Sequence, residues 1–263
     1  MGALLVDSHA HLTMFEPDEV EAVLDRAAAA GVGGVVVPAT GPGDLDPVVE
    51  LADRWPDRVA GAVGVHPHEA SALDDGLKRR VRTLLEGRGI VAVGEVGLDY
   101  HYMSSPREDQ LAALRWHLDL ALEAGLPVIL HNRESWEDLR DILAEYAGRL
   151  QGVCHSFSEG EAVTRRVVEL GLFVGISGMV TFNRADNVRE TVRAAGLERL
   201  LVETDSPYLA PVPHRGRRNE PAFVVHVAER VAEELEAPVD DVARTTTRNV
   251  RHLFGLPDGW GRA

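Results

Sequence analysis

The chain has 263 residues and is 45% hydrophobic, which is enough to form one large core. Its formal net charge of −15 argues against the broad basic face of a protein that coats nucleic acid. The single cysteine, Cys154, excludes an intrachain disulfide and fits a reducing compartment. No secretory signal pattern and no long uncharged apolar run is visible, so we expect a cytoplasmic protein without a membrane span.

Eight short apolar runs recur along the chain, and most are rich in Val, Ile or Leu without polar alternation. Runs of this kind are typical of parallel strands that are covered by helices. The predicted strands are 4–6, 34–37, 60–65, 91–93, 128–130, 152–154, 173–176 and 200–202.

Helical patterns separate these strands. The stretch Ser105-Pro106-Arg107-Glu108 predicts an N-cap serine, a proline at the first helical position and a capping-box glutamate, and the helix that follows is predicted to end at Gly125. The last two helices are predicted over about 221–235 and, as a shorter one, near 239–253.

Eight strands that alternate with helices, without a linker or a change in composition, predict a single α/β domain over 1–263, folded as a (β/α)8 TIM barrel. A doubly wound open sheet is the structural alternative. That fold would carry a glycine-rich nucleotide loop after its first strand. The segment DSHAH stands there instead, which favours the barrel.

Polar groups follow five of the predicted strands, at the end where barrels build their active sites. A single histidine in such a place is more often a satisfied buried side chain than a ligand. Six such groups at one end would form an uncompensated cluster unless a cation lay among them. The candidate metal ligands are His9, His11, Glu95, His131, His155 and Asp205.

Imidazole and carboxylate ligands without thiolate suit zinc, manganese, nickel or iron, whereas magnesium usually prefers oxygen ligands. Six groups exceed the three that one catalytic zinc uses, so we expect two divalent ions, which are Zn, Mn or Mg. One ion is assigned to His9, His11 and Asp205, and the other to His131 and His155, with bridging Glu95 as the sixth ligand. Asp205 is the expected general base, and Glu95 is the second catalytic carboxylate.

Three further residues lie near this predicted site. Glu203 shares a strand face with Asp205 one layer deeper, so we expect it to orient a ligand imidazole. Arg133 and Arg218 suit a substrate phosphate, although each also fits an ordinary surface ion pair.

Eight motifs are distributed over most of the chain: DSHAHL, GVHPH, VGEVGLDY, PVILHNRES, GVCHSFSEG, FVGISGMVTF, LLVETDSPYLAP and HRGRRNEP. In combination they resemble the TatD family of metal-dependent deoxyribonucleases, within the amidohydrolase-type barrels. The resemblance implies metal-dependent hydrolysis of phosphodiester bonds in DNA, typically as an exonuclease. It also implies the same six metal ligands.

The family pattern GxHP implies that His66 contacts substrate or orients a ligand, and a turn histidine fixed by Pro67 is an equal alternative. Three positions depart from the family: Ser156 and Glu159 replace a usual Cys and Gly, and His117 replaces a usual Gln. None of the three is a ligand. The first two lie on a predicted loop at the mouth and bear on substrate preference.

The expected function is therefore a metal-dependent 3′-exonuclease that acts on DNA ends or on a small phosphodiester, with no obligate protein partner. The alternative enzyme is an amidohydrolase that cleaves a C–N or ester bond of a small metabolite. Related barrels of that type often carry a bridging lysine at the end of strand four, where this chain has Glu95. A third hypothesis is that the protein is a metal-binding scaffold without catalytic activity.

Overall fold

The computed structural model describes residues 4–261. All eight predicted strands are present and form one parallel sheet in chain order, as a barrel requires. The strands β1 to β8 are Leu5–Asp7, Val32–Pro38, Val59–Val63, Ile90–Asp99, Val128–Arg133, Gly152–Cys154, Phe173–Ile176 and Leu200–Val202.

Backbone contacts just beyond β1 and β8 close the sheet into a barrel. The Asp205 N–H donates to the carbonyl of His9 at 2.9 Å, and the His11 N–H donates to the carbonyl of Ser206 at 2.8 Å. Ala10 and Ser206 form an isolated parallel bridge between the same two segments. The first-strand histidines are thereby held beside the carboxylate that follows the last strand.

Helices follow the strands around the barrel, as the alternating pattern predicts. Over residues 4–261 the helices α1 to α9 are Val20–Ala29, Leu45–Arg54, Asp75–Leu84, Arg107–Ala124, Trp136–Glu145, Glu161–Glu169, Asp186–Ala195, Val224–Glu234 and Val239–Leu253. The prediction for the last pair was wrong in relative length, since α9 has 15 residues and α8 has 11. The predicted start of α8 forms a separate 3-10 turn, Pro221–Phe223.

The start of α4 differs from the predicted capping box. Pro106 is the N-cap residue, and no side chain caps the helix. The Ser105 hydroxyl instead donates to the carbonyl of His68 at 2.8 Å and accepts the N–H of Ser71 at 3.1 Å. Ser105 therefore fastens the loop after β3, while the predicted helix end at Gly125 is confirmed by its left-handed φ of 65°.

Strand β4 is much longer than the predicted 91–93. It continues to Asp99 because it pairs with β5 from Val96 onward, with Gly97 opposite His131 and Asp99 opposite Arg133. A Cβ on Gly97 would overlap the carbonyl of His131, so only glycine permits this close pairing. Glu95 consequently lies within the strand and not after it.

The buried core has an outer layer between the sheet and the helices and an inner cluster in the lower barrel. Cys154 belongs to the outer layer, and burial raises the pKa of its thiol to about 12. Val250, Leu253 and Trp260 also belong to the inner cluster. None of the helices within residues 4–261 has both the length and the apolarity to cross a membrane.

Candidate metal centre

All six predicted ligand side chains meet at the end of the barrel formed by the carboxyl ends of the strands. His9 is fully buried, and the other five line a cavity of about 500 Å³ that opens to solvent: His11, Glu95, His131, His155 and Asp205. The parallel order of the strands explains this convergence, because every strand reaches the mouth with its carboxyl end.

The first cluster joins the two histidines after β1 to the carboxylate after β8. His9 Nε2 lies 3.2 Å from His11 Nε2, and His11 Nε2 lies 3.3 Å from Asp205 Oδ1. His9 Nε2 is 3.8 Å from the same oxygen. These three atoms form one of the groups in the described chain that could hold a metal ion.

The second cluster surrounds one oxygen of Glu95. Glu95 Oε1 lies 2.8 Å from His155 Nε2, 2.9 Å from His131 Nδ1 and 3.4 Å from His66 Nε2. His131 Nδ1 and His155 Nε2 are 3.3 Å apart. His66, which the sequence indicated as a substrate contact or a turn residue, therefore lies within ligand distance of this cluster.

Glu95 connects the two clusters through its other oxygen. Glu95 Oε2 lies 3.3 Å from His9 Nε2 and 3.8 Å from His11 Nε2. One carboxylate thus presents each of its oxygens to a different group of histidines, which is the arrangement expected of a bridging ligand.

The donor atoms fit divalent metal ions. Atoms held about 2.1 Å from one ion lie about 3.0–3.4 Å apart in octahedral or tetrahedral geometry, and the separations above are close to this range. Within residues 4–261, every ion-pair partner of Glu95 and of Asp205 is a histidine, so no lysine or arginine neutralises these carboxylates. A buried set of this kind needs a cation.

The histidines keep both carboxylates ionised. Burial alone would raise the pKa of Glu95, but the charge of His155 and the hydrogen bond with His131 outweigh burial and hold that pKa well below its usual value. The pKa of Asp205 is lowered in the same way, because His11 and His9 outweigh its burial. Burial lowers the pKa of His66 to about 4, so its imidazole stays neutral.

Asp99 is a residue of the site that the sequence interpretation missed. Its Oδ2 lies 3.2 Å from His131 Nε2 and 3.0 Å from His68 Nε2, and its side chain is buried. The pKa of Asp99 is lowered because His131, the Tyr102 N–H and His68 outweigh the effect of burial. The sequence held a signal for this residue, because Asp99 follows Glu95 by four positions in the same segment. The fourth strand was predicted to end at residue 93, before both residues, so they were not placed on one strand.

Glu203 is fully buried behind His155. Its Oε1 lies 3.5 Å from His155 Nδ1 and accepts the N–H of Ser156 at 2.6 Å, and its Oε2 accepts the hydroxyl of Ser8 at 3.3 Å. This position is consistent with the predicted orienting role. His9, His155 and Glu203 also form a group whose donor atoms lie close enough together to hold a metal ion.

The two predicted phosphate-binding arginines differ in their positions. Arg133 lines the cavity, and its guanidinium lies 4.7 Å from the centre of the Tyr102 ring. Arg218 forms an ion pair with Glu19 at 3.0 Å, covers the ring of Phe15 and is not among the cavity-lining residues. Substrate contact by Arg218 stays a prediction without support from its position.

A closed parallel barrel with a histidine and carboxylate cluster at the carboxyl ends of its strands defines a metal-dependent hydrolase. A family model described as TatD related DNase matches residues 6–255, and the chain belongs to this family. The predicted barrel and the predicted family are both confirmed.

Relatives agree with this assignment over nearly their whole lengths. The metal-dependent hydrolase YabD of Bacillus subtilis is 36% identical over 96% of this chain and 100% of its own. A protein of Pantoea ananatis named 3′-5′ ssDNA/RNA exonuclease TatD is 36% identical over 93% of this chain and 96% of its own. The crystal structure of the Escherichia coli TatD homologue YjjV, 34% identical, superposes with a TM-score of 0.90 over 96% of this chain and 98% of that one.

Proposed function

We propose that this protein uses two divalent ions to hydrolyse phosphodiester bonds, removing nucleotides from the 3′ end of single-stranded DNA. The observation that carries the proposal is the position of Glu95, whose two oxygens face different histidine groups. The name of the Pantoea ananatis relative supports the choice of substrate.

The proposed ligands of the first ion are His9, His11 and Asp205, and those of the second are His131 and His155. Glu95 lies between the two sets. The ions are Zn, Mn or Mg. When bound, such ions lower the pKa of water and stabilise charge on the phosphoryl oxygens.

Asp205 accepts the proton of the attacking water. Its side chain lines the cavity, so it is accessible to water, and its lowered pKa keeps it in the basic form. The contacts of Oδ1 with His11 and His9 fix the direction in which the carboxylate points. Asp205 also has a left-handed φ of 57°, a backbone conformation that is uncommon outside glycine and often found at functional sites.

Other side chains hold the substrate and the ligands in place. Arg133 lines the cavity with an exposed guanidinium, which suits a substrate phosphate. His66 is neutral, so it can accept or donate one hydrogen bond at the edge of the second cluster. Asp99 and Glu203 lie behind His131 and His155 and fix the orientation of these imidazoles.

Hydrolysis of a C–N bond is the less favoured alternative. Barrels of that kind often use a carboxylated lysine between the ions, and Glu95 occupies that place here. The single lysine of the chain, Lys78, lies on α3, where its ammonium faces the ring of Trp116 at 5.9 Å. No lysine is therefore available for the bridging position.

The test is a substrate panel with protein stripped of metal and reloaded with Mg²⁺, Mn²⁺ or Zn²⁺. Single-stranded DNA labelled at its 5′ end should shorten stepwise from its 3′ end, while cyclic amides and lactones stay intact. His131→Ala should abolish the shortening, whereas His226→Ala, on an exposed pair with Glu229, should not. Turnover of an amide or lactone without turnover of any phosphodiester would refute the proposal.

A further inference from the structure

Exposed apolar side chains gather at the mouth of the cavity. Among the large apolar residues of the described chain that are exposed, three line this cavity: Met14 is 42% exposed, Tyr102 58% and Tyr208 53%. Exposed aromatic rings around a site commonly mark a binding surface.

Tyr102 is held as a fixed platform although most of its side chain is exposed. Its N–H donates to Asp99 Oδ1 at 2.8 Å. The guanidinium of Arg133 lies 4.7 Å from the ring centre, and the rings of His68 and His101 meet it nearly at right angles, with centroids 5.4 and 4.8 Å away. These contacts restrict the ring before any ligand arrives.

Tyr208 is fixed in a comparable way. Its N–H donates to the carbonyl of Asp205 at 2.9 Å, and its own carbonyl accepts the side-chain N–H of the buried Asn219 at 2.6 Å. Its hydroxyl lies 3.3 Å from the sulfur of Met14. The ring therefore stands at the mouth on a backbone that is tied to the metal-ligand segment.

The two tyrosines lie on opposite sides of the site. Tyr102 follows β4 and Tyr208 follows β8, and strands four positions apart in an eight-stranded barrel face each other across its axis. The histidine and carboxylate clusters occupy the floor between them. A nucleic-acid strand with its scissile phosphate on this floor would direct the nucleosides on either side of that phosphate toward the two rings.

Charge gives little help in holding a polyanion. Arg133 is the one lysine or arginine among the described residues that line the cavity, and the whole chain carries a net charge of −15. Within the described residues, the lining of the cavity therefore offers no run of cations for a nucleic-acid backbone. Beyond the contacts of the scissile phosphate with the proposed ions and Arg133, binding has to come from uncharged contacts, and base stacking on an aromatic ring is the strongest of these that a nucleotide offers.

We propose that Tyr102 and Tyr208 stack on the bases of the two nucleotides that flank the scissile phosphate, while Arg133 contacts the phosphate itself. This inference rests on the proposed phosphodiesterase function and adds the residues that recognise the substrate. It requires unpaired terminal bases, because the faces of a paired base are already stacked in the duplex. It also explains how an acidic protein retains the end of a single strand.

The test compares two strands with identical backbones. One carries ordinary bases, and the other carries abasic tetrahydrofuran residues at its two 3′-terminal positions. On the ordinary strand, Tyr102→Ala and Tyr208→Ala should each raise KM about tenfold with little change in kcat. On the abasic strand neither variant should differ from wild type. Tyr102→Phe and Tyr208→Phe should restore the wild-type KM, because a phenyl ring also stacks.

Met103→Ala is the matched control, because Met103 is 45% exposed beside Tyr102 but does not line the cavity. Binding of a 5′-fluorescein strand to metal-free protein, followed by anisotropy, provides a readout that is independent of turnover and should weaken by the same factor. Equal penalties on both strands, or none on either, would overturn the stacking assignment and leave the phosphodiesterase proposal standing. Failure of the loaded wild type to cleave either strand would refute both.

Discussion

Asp99 Oδ2 lies 3.2 Å from His131 Nε2, on the opposite edge of that imidazole from Glu95. The same oxygen lies 3.0 Å from His68 Nε2, and Oδ1 accepts the N–H groups of His101 and Tyr102. A carboxylate behind a ligand imidazole fixes its tautomer and raises its basicity. Asp99 therefore links the second histidine cluster to the loop that carries Tyr102.

Replacement of Asp99 by asparagine should weaken metal binding by about 10- to 100-fold, because the neutral amide holds the His131 imidazole less firmly. Competition with a chromophoric chelator measures the affinity. Asp109→Asn is the control, since Asp109 accepts the Ser71 hydroxyl on an exposed part of α4. Equal affinities for the two variants would show that Asp99 does not position a ligand.

Glu95→Gln should remove metal from both clusters together. The Glu95 oxygens face His9 on one side and His131 on the other. An amide offers only one oxygen, so it cannot coordinate an ion on each side as a carboxylate can. The metal content measured by elemental analysis after dialysis should fall from about two ions per chain to nearly none, and activity should fall more than about 100-fold. Glu159→Gln, whose side chain accepts from Asn132, should keep the full complement. Full metal occupancy in Glu95→Gln would exclude a bridging role.

The barrel was predictable because its strands are buried on both faces and therefore read as continuous Val, Ile and Leu runs. The prediction of strand ends failed where pairing between strands outweighs the local sequence pattern. The segment GEVGLD contains two glycines and two acids, which argue against a strand, yet β4 runs through it and pairs with β5 from Val96 to Asp99. Ser105 has the sequence pattern of an N-cap, but its hydroxyl donates a hydrogen bond to the loop after β3 instead.

The candidate ligands were predictable because each follows an apolar run, and parallel strands deliver their ends to one place. The residues that contact the candidate ligands and the predicted arginines could not be predicted. Asp99 lies on the part of β4 that the sequence interpretation left out, so its closeness to His131 could not be inferred. Arg218 meets Glu19 only because the segment after β8 packs near the start of α1, and no local pattern encodes that contact.

Gly175→Ala tests the support behind His155. A Cβ on Gly175 would overlap the carboxylate of Glu203, which has no room to retreat because it is fully buried. We expect about 10- to 100-fold weaker metal binding and a loss of about 1–3 kcal/mol in the free energy of unfolding. Gly43→Ala, with no atom within 4 Å of the added methyl, is the control. Indistinguishable behaviour of the two variants in chelator competition and urea unfolding would contradict this role for Glu203.

His117 provides a test that is independent of the metal centre. It is fully buried on α4, and its Nδ1 lies 2.7 Å from the carbonyl of Ala113, so Nδ1 carries the proton. Its Nε2 has no hydrogen-bond partner. Burial lowers the pKa of His117 to about 4, since a proton added at Nε2 would find no acceptor.

His117→Gln should remove part of the acid sensitivity of the fold. The unfolded chain protonates this imidazole near pH 6.5, whereas the folded protein keeps it neutral down to about pH 4. The wild-type free energy of unfolding should therefore decrease as the pH falls through this interval, by up to about 1.4 kcal/mol per pH unit from this group. Urea unfolding in a metal chelator should show that the free energy of unfolding of the wild type falls by about 3 kcal/mol more than that of the variant between pH 7 and pH 4. The exposed His252→Gln should leave the wild-type pH slope unchanged, and parallel curves for His117→Gln would contradict the assignment.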